Sequence, residues 1–287
     1  MRSTTLPARD LWYSEGHINY YYGGQYFAVF LTKLSHTKVE LTYNLMRTFV
    51  AGLAFAMPFS LVYQMMSDRM KGLQKSEKVI KGLPFAAGFT AGTAVSIAGN
   101  MHYVIYAQII PLIEKLTGKE VSSYWFPDAT RYIGYNPYRE EDRTIHEFPC
   151  YSFVLGDLHA HVVNIMFVLL VIALLYVWLR GVRKKTVPVE TSMKDGKFWK
   201  EQLLMPHLLV ISALLGMFQW TNFWDFVIYY VVTLGTVLFA NIIRFQGKIK
   251  KIMVVTFAQM AEIYLLAYLV ILPFTLQFDT MVDGIGI

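Results

Sequence analysis

Six long apolar runs constrain this chain more than any other feature: residues 43–66, 82–110, 162–179, 203–218, 226–243 and 252–274. A helix needs about 20 mostly apolar residues to cross the hydrocarbon core of a bilayer. One such run could be buried in a soluble core; six of them, separated by charged connections, cannot. Of the 287 residues, 55% are hydrophobic and only 16% charged, against about 25% charged in an ordinary soluble domain. The pattern predicts an all-α, polytopic integral membrane helix bundle with about six to seven transmembrane helices, forming one domain over residues 1–287. The stretch 20–34 is shorter and carries Gly23, Gly24 and Lys33, so it reads as an interfacial or re-entrant element, or a short seventh helix. Residues 1–42 then hold an outer aromatic motif and this interfacial segment, 43–113 the first two helices, 114–161 a long outer loop, and 162–287 the remaining four helices. The single cysteine, Cys150, permits no internal disulfide.

Charge gives the bundle a direction. The connection 67–81 holds five basic residues against two acidic, 180–201 seven against three, and 244–251 four against none. Short connections rich in Lys and Arg stay on the cytoplasmic side, and these three alternate between the six runs so that one orientation satisfies them all. They sum to +11, while the rest of the chain sums to −5. The net charge of +6 is therefore a polarised distribution rather than a nucleic-acid-binding patch, and no nucleic-acid partner is expected. The expected location is the plasma membrane, multi-pass, with the motif-bearing loops extracytoplasmic and membrane lipid as the surrounding partner. This orientation places the N-terminus outside, yet nothing before Tyr43 is apolar enough to carry residues 1–40 across. Either 20–34 crosses, or a leading membrane helix precedes Met1; the second is the expectation.

Polar and aromatic residues gather on the predicted outer face. The long loop ends in HEFPCYSFVLGDLHAH, the N-terminal stretch contains DLWYSEGHINYYYGG, and a short connection reads WTNFWDF. Within the first, Asp157, His159 and His161 offer a carboxylate and two imidazoles, a donor set suited to zinc or a similar divalent ion, or to acid–base work. In a strand the two histidines would face the same way; in a helix they would point about 200° apart, which is awkward for one ion. The structural alternative is that Asp157 caps a helix starting at Leu158. Asp10, Trp12, Asn19, Tyr20, Tyr21 and Tyr22 combine interfacial aromatics with polar groups of the kind that wall a sugar site. Asn222, Trp224 and Asp225 fit a tight turn between two membrane helices as readily as a binding role. Glu262 falls near the middle of its run, where a carboxylate is costly and by default paired or functional. Arg47, near the outer end of its run, can snorkel or pair with an outer carboxylate. Gly88, Gly92 and Ser96 form a small-residue packing stripe, with Asn100 and His102 following it.

The phrases DLWYSEGHINYYYGG, TIHEFPCYSFVLGDLHAH and TNFWDF, in that order, resemble the YYY-domain membrane proteins, a bacterial and archaeal family named for its tyrosine triplet and classed as a domain of unknown function. Members of that family carry an earlier membrane helix with an acidic motif and further helices downstream. The resemblance therefore implies that this chain is truncated at both ends, and that a family carboxylate lies upstream of it. The family is similar to the GT-C glycosyltransferases, whose membrane helices present an outer site and which transfer a sugar from a polyprenyl-phosphate carrier. That similarity is one of fold, a weak warrant for function.

Three readings follow. The first is an outer-face glycosyltransferase, or a remnant of one, using a polyprenyl-phosphate-linked sugar and a glycan or protein acceptor. In it Asp10 or Asp157 is the general base with Glu147 in reserve. His159, His161 or Arg143 meets the departing phosphate, and His146, Asn19, Tyr20, Tyr21, Tyr22, Trp12, Asn222, Trp224 and Asp225 complete the binding surface. The second is a metal-dependent membrane hydrolase at Asp157, His159 and His161. The third is a transporter with Glu262 and Arg47 along a path, for which the sequence shows neither an internal repeat nor polar residues spread through the membrane.

Overall fold

A computed structural model of the chain describes residues 3, 5–13, 15–71, 73, 76–120, 124–136, 139–184 and 192–279, with the backbone alone described over 132–136 and 139–144. Helices dominate, as the apolar runs require. They fall into two compact units, one of Met1–Ser35 with Phe167–Ile287 and one of His36–Met166.

The unit His36–Met166 is built on two long helices, α2 (Val39–Met70) and α3 (Glu77–Ser96); α1 (Gly23–Ser35) belongs to the other unit. The small-residue stripe explains how α2 and α3 pack. A Cβ on Gly88 would lie 2.8 Å from the Phe59 carbonyl oxygen, and one on Gly92 2.9 Å from that of Phe55. Only hydrogen at these positions lets the backbones approach so closely, and Phe85 and Phe89 then interlock edge-to-face with Phe59 and Phe55. Other apolar side chains of the pair, among them Leu45, Phe49 and Phe85, are exposed, as lipid-facing residues are when no bilayer surrounds them.

The apolar run 82–110 does not continue as one helix. α3 ends at Ser96, and the chain turns through Gly99 and Asn100 before a π-helical segment, Tyr103–Ile109, runs into α4 (Ile110–Thr117). The turn packs tightly: a Cβ on Gly99 would lie 2.3 Å from the Ala129 carbonyl oxygen. The expected outer loop is also more ordered than an all-helical reading supplies. It holds α5 (Phe126–Thr130), an antiparallel hairpin of β1 (Arg131–Asn136) and β2 (Arg139–Glu147), and α6 (Pro149–Leu155).

α7 (Ala160–Lys184) starts in this unit and continues into the other. There it joins α8 (Gly196–Leu203), α9 (Pro206–Thr221), α10 (Phe223–Phe245) and α11 (Ile249–Thr275). Their core is aliphatic, with Val171, Leu208, Ile211, Leu215, Phe218, Val237, Ile263 and Ala267 buried against one another. Gly216 brings α9 onto α11, since a Cβ there would lie 2.5 Å from the Ala267 carbonyl oxygen. The run 203–218 is bent rather than straight: α8 and α9 meet at 50° across a short break. Among the described residues, α2, α7, α10 and α11 are long and apolar enough to cross a membrane, and the α8–α9 pair makes a fifth span if counted as one. The chain is thus a helical, multi-pass membrane bundle, with stretch 20–34 represented by the short α1.

Candidate functional site

The polar motifs separate between the two units. In His36–Met166 the motif HEFPCYSFVLGDLHAH folds as the end of β2, the short helix α6, and the first turn of α7. α6 ends because Gly156 adopts a left-handed conformation, φ +81°, from which the amides of Gly156 and Asp157 both reach the Ser152 carbonyl, at 2.8 and 2.9 Å. This αL cap reverses the chain sharply and sets Asp157, Leu158 and His159 in a short extended link. α7 begins at Ala160 rather than at the expected Leu158, with the His159 carbonyl accepting from the amides of Val162 and Val163.

Two side chains of α2 brace this link. The Tyr43 hydroxyl accepts from the Leu158 amide at 3.3 Å. The Arg47 guanidinium lies against Gly156, so close that a Cβ there would come within 2.2 Å of Nη1. Nη1 donates to Asn44 Oδ1 at 3.2 Å, and Nε is buried without a hydrogen bond. Arg47 thus places fixed positive charge under the link, although it forms no ion pair with Asp157 among the described residues.

His159 is the centre of the arrangement. Its Nδ1 lies 3.0 Å from Asp157 Oδ2 and 3.6 Å from Glu147 Oε2. Two carboxylates on one ring nitrogen favour the tautomer with hydrogen on Nδ1, which leaves Nε2 as the acceptor. The side chain is 40% exposed. His161 stands beside it, ring centroids 4.9 Å apart and tilted by 54°. Among the described residues no group of three or more His, Cys, Asp or Glu side chains is arranged to hold a metal ion; Asp157, His159 and His161 form a hydrogen-bonded pair with a neighbouring ring instead.

Glu147 is positioned from a distance. It pairs in register with Arg131 across the hairpin, and the hairpin base is tied to the end of α3 by Asn100, whose Nδ2 donates to the carbonyls of Asp128 (2.6 Å) and Arg131 (3.0 Å). Asn100 Oδ1 accepts from the His102 amide, and His102 Nε2 accepts from the Trp125 amide. Asn100 and His102, noted in the sequence only as neighbours of the glycine stripe, are the struts of the loop. His146 is exposed, opposite Tyr132. Arg143 pairs with Tyr135 in the hairpin; its side chain lies outside the described residues. Cys150 is buried, donates to the Ala98 carbonyl at 3.4 Å, and burial pushes its thiol up, which makes it a packing residue rather than a nucleophile.

In the other unit the motif residues are occupied by folding. Asp10 Oδ1 accepts from the amides of Trp12 (2.7 Å) and Tyr13 (3.3 Å), an Asx turn that leaves Trp12 fully exposed. Asn19 clamps the backbone of Asp279 by two hydrogen bonds, at 2.8 and 3.1 Å. Tyr21 packs on Phe223 and Phe278, and Tyr22 on Trp220 and Phe274; burial pushes both phenols up, so they stay neutral. Tyr20 tilts against Tyr21. Asn222 is the N-cap of α10 and its Nδ2 donates to Asp225 Oδ2 at 2.9 Å, while Trp224 is exposed. The tyrosine triplet and the TNFWDF turn are thus largely engaged in packing and capping.

A family model described as an uncharacterized membrane protein, DUF2298, matches residues 1–287. No curated protein and no solved structure matches the chain.

Proposed function

The chain belongs to the uncharacterized membrane protein family DUF2298, and we propose that it is a glycosyltransferase of GT-C type, or the core of one, working at the extracytoplasmic face of the plasma membrane on a polyprenyl-phosphate-linked sugar. The observation that carries this reading is the imidazole of His159, held at Nδ1 beside Asp157 and Glu147 on a side chain that is 40% exposed. An acceptor hydroxyl gives its proton to Nε2 as its oxygen bonds to the anomeric carbon. The bond from that carbon to the carrier phosphate breaks, and the phosphate oxygen keeps the electron pair. Asp157 and Glu147 stabilise the imidazolium that forms, as a carboxylate does behind any histidine base. Arg47 supplies positive potential near the departing phosphate, with the His161 ring beside His159. The general base is then His159, with Asp157 and Glu147 as positioning residues. The partition of +11 against −5 supports an outer placement for this centre once α3, which is not among the spans counted by length and apolarity, is taken to cross between the basic connection 67–81 and the loop 114–161.

The test is transfer from polyprenyl-phosphate-linked sugars in proteoliposomes containing the chain, comparing wild type with Asp157→Asn. The variant should retain its folded level and lose transfer by about a hundredfold. Equal rates would remove Asp157 from the mechanism. Release of free sugar to water in place of transfer, abolished by a chelator and restored by zinc, would favour the metal-dependent hydrolase instead.

A further inference from the structure

We propose that the unit Met1–Ser35 with Phe167–Ile287 contains a second site, for a phosphate group, in a cleft of about 550 Å³ where the end of α7, the α8–α9 break and the end of α10 meet. Trp178, Glu201, Met205, His207 and Arg244 are among its lining residues. The site is independent of the His159 centre and of the reading built on it.

Arg244 is held in place by a chain of amides. Its Nη2 donates to Gln202 Oε1 and its Nη1 to Asn241 Oδ1 at 3.2 Å. Asn241 in turn donates to Gln259 Oε1 (2.8 Å) and Thr256 Oγ1 (3.0 Å), and Gln259 donates to the Gln202 carbonyl at 2.9 Å. Gln202, Asn241 and Gln259 are all within 1% of complete burial. So much buried polar structure, in helices otherwise packed by aliphatics, serves to aim one guanidinium. Its acceptors are neutral, and among the described residues no carboxylate forms an ion pair with it. Glu201, exposed across the same cleft, acts on it electrostatically without a direct ion pair, and a guanidinium held by neutral acceptors matches a phosphate's oxygens. A second polar group stands at the same cleft: the His207 ring lies 5.0 Å from Trp178, tilted by 38°, and its Nε2 is buried without a hydrogen-bond partner.

Glu201, exposed at the rim, selects among phosphates. It disfavours a dianion more than the single charge of a phosphodiester. Trp178, Val182, Leu204 and Met205 give the cleft apolar walls, and Arg183, Lys184, Lys248 and Lys250 lie on the adjoining ends of α7 and α11 or between helices, a basic fringe suited to an anionic lipid surface. The ligand is a phosphate group, with a phospholipid headgroup as the source that best fits these walls.

Thermal unfolding of the full chain in an uncharged detergent tests this, titrating phosphatidylglycerol in one arm and inorganic phosphate in the other. Phosphatidylglycerol should raise the unfolding temperature saturably. Arg244→Gln should weaken that half-saturation at least tenfold, and Glu201→Gln should tighten it about threefold, the sign expected for removing a nearby like charge. A saturable rise with inorganic phosphate alone, lost in Arg244→Gln, keeps the site and assigns it to soluble phosphate. If Arg244→Gln does not fold, His207→Ala, expected to weaken binding about fivefold, and Glu201→Gln decide. The same half-saturation in wild type and every folded variant, or no response of wild type in either arm, overturns the proposal.

Discussion

Gly156 shows how one residue without a side chain can set a site. Its φ of +81° turns α6 into the Asp157–His159 link, and the space a Cβ would need is filled by Arg47. Gly156→Ala therefore meets both a left-handed backbone and a guanidinium, and should destabilise the protein by about 1–3 kcal/mol, read as a lower denaturation midpoint in detergent; an unchanged midpoint would show that Arg47 does not press on this turn. Residue types were visible in the sequence, but their partners were not. Asp10 and Asp157 sit in similarly aromatic, polar surroundings, and nothing local says that the first carboxylate takes the amides of Trp12 and Tyr13 while the second takes an imidazole. Tyr43 and Arg47 lie more than a hundred residues before the link they brace. The charge of Arg47 is plain in the sequence; its contact with Gly156 depends on a tertiary fold that no local pattern encodes.

Among the helices, apolarity marked position well and ends less well. The runs 162–179, 226–243 and 252–274 lie inside α7, α10 and α11, each of which extends beyond its run by residues that include Arg, Lys or Asn near the polar boundary. Hydropathy measures what lipid must cover, and a helix continues past that point while its backbone hydrogen bonds still hold. The run 82–110 differs for another reason: apolar composition says nothing of the turn after Ser96, where Gly99 meets the Ala129 carbonyl. The hairpin was hidden too, since REEDRTIHE has the charge of a solvated loop. The glycine stripe, by contrast, is where the sequence placed it. Gly92→Leu should force α3 away from Phe55 and cost about 2 kcal/mol or more, with a lowered unfolding temperature as the readout; a wild-type temperature would mean that the α2–α3 contact is not tight.

For the molecule as a whole, the strongest organising term is the charge partition, because it ties a greasy chain to a direction in the membrane. It predicts that a cysteine at Lys78, exposed at the start of α3, reacts with an impermeant maleimide only from the cytoplasmic side, and one at Glu120, exposed beyond α4, only from outside. Native Cys150 is buried and should leave the background silent. Labelling of both positions from the same side would overturn the orientation and with it the outer placement of the catalytic group. The proposed transfer depends on His159 as the base. The most direct measurement is the initial rate of sugar transfer from a polyprenyl-phosphate donor by His159→Ala, reconstituted at the wild-type level. A fall of about 10²–10⁴-fold is predicted for loss of a general base, and a rate within twofold of wild type would contradict it.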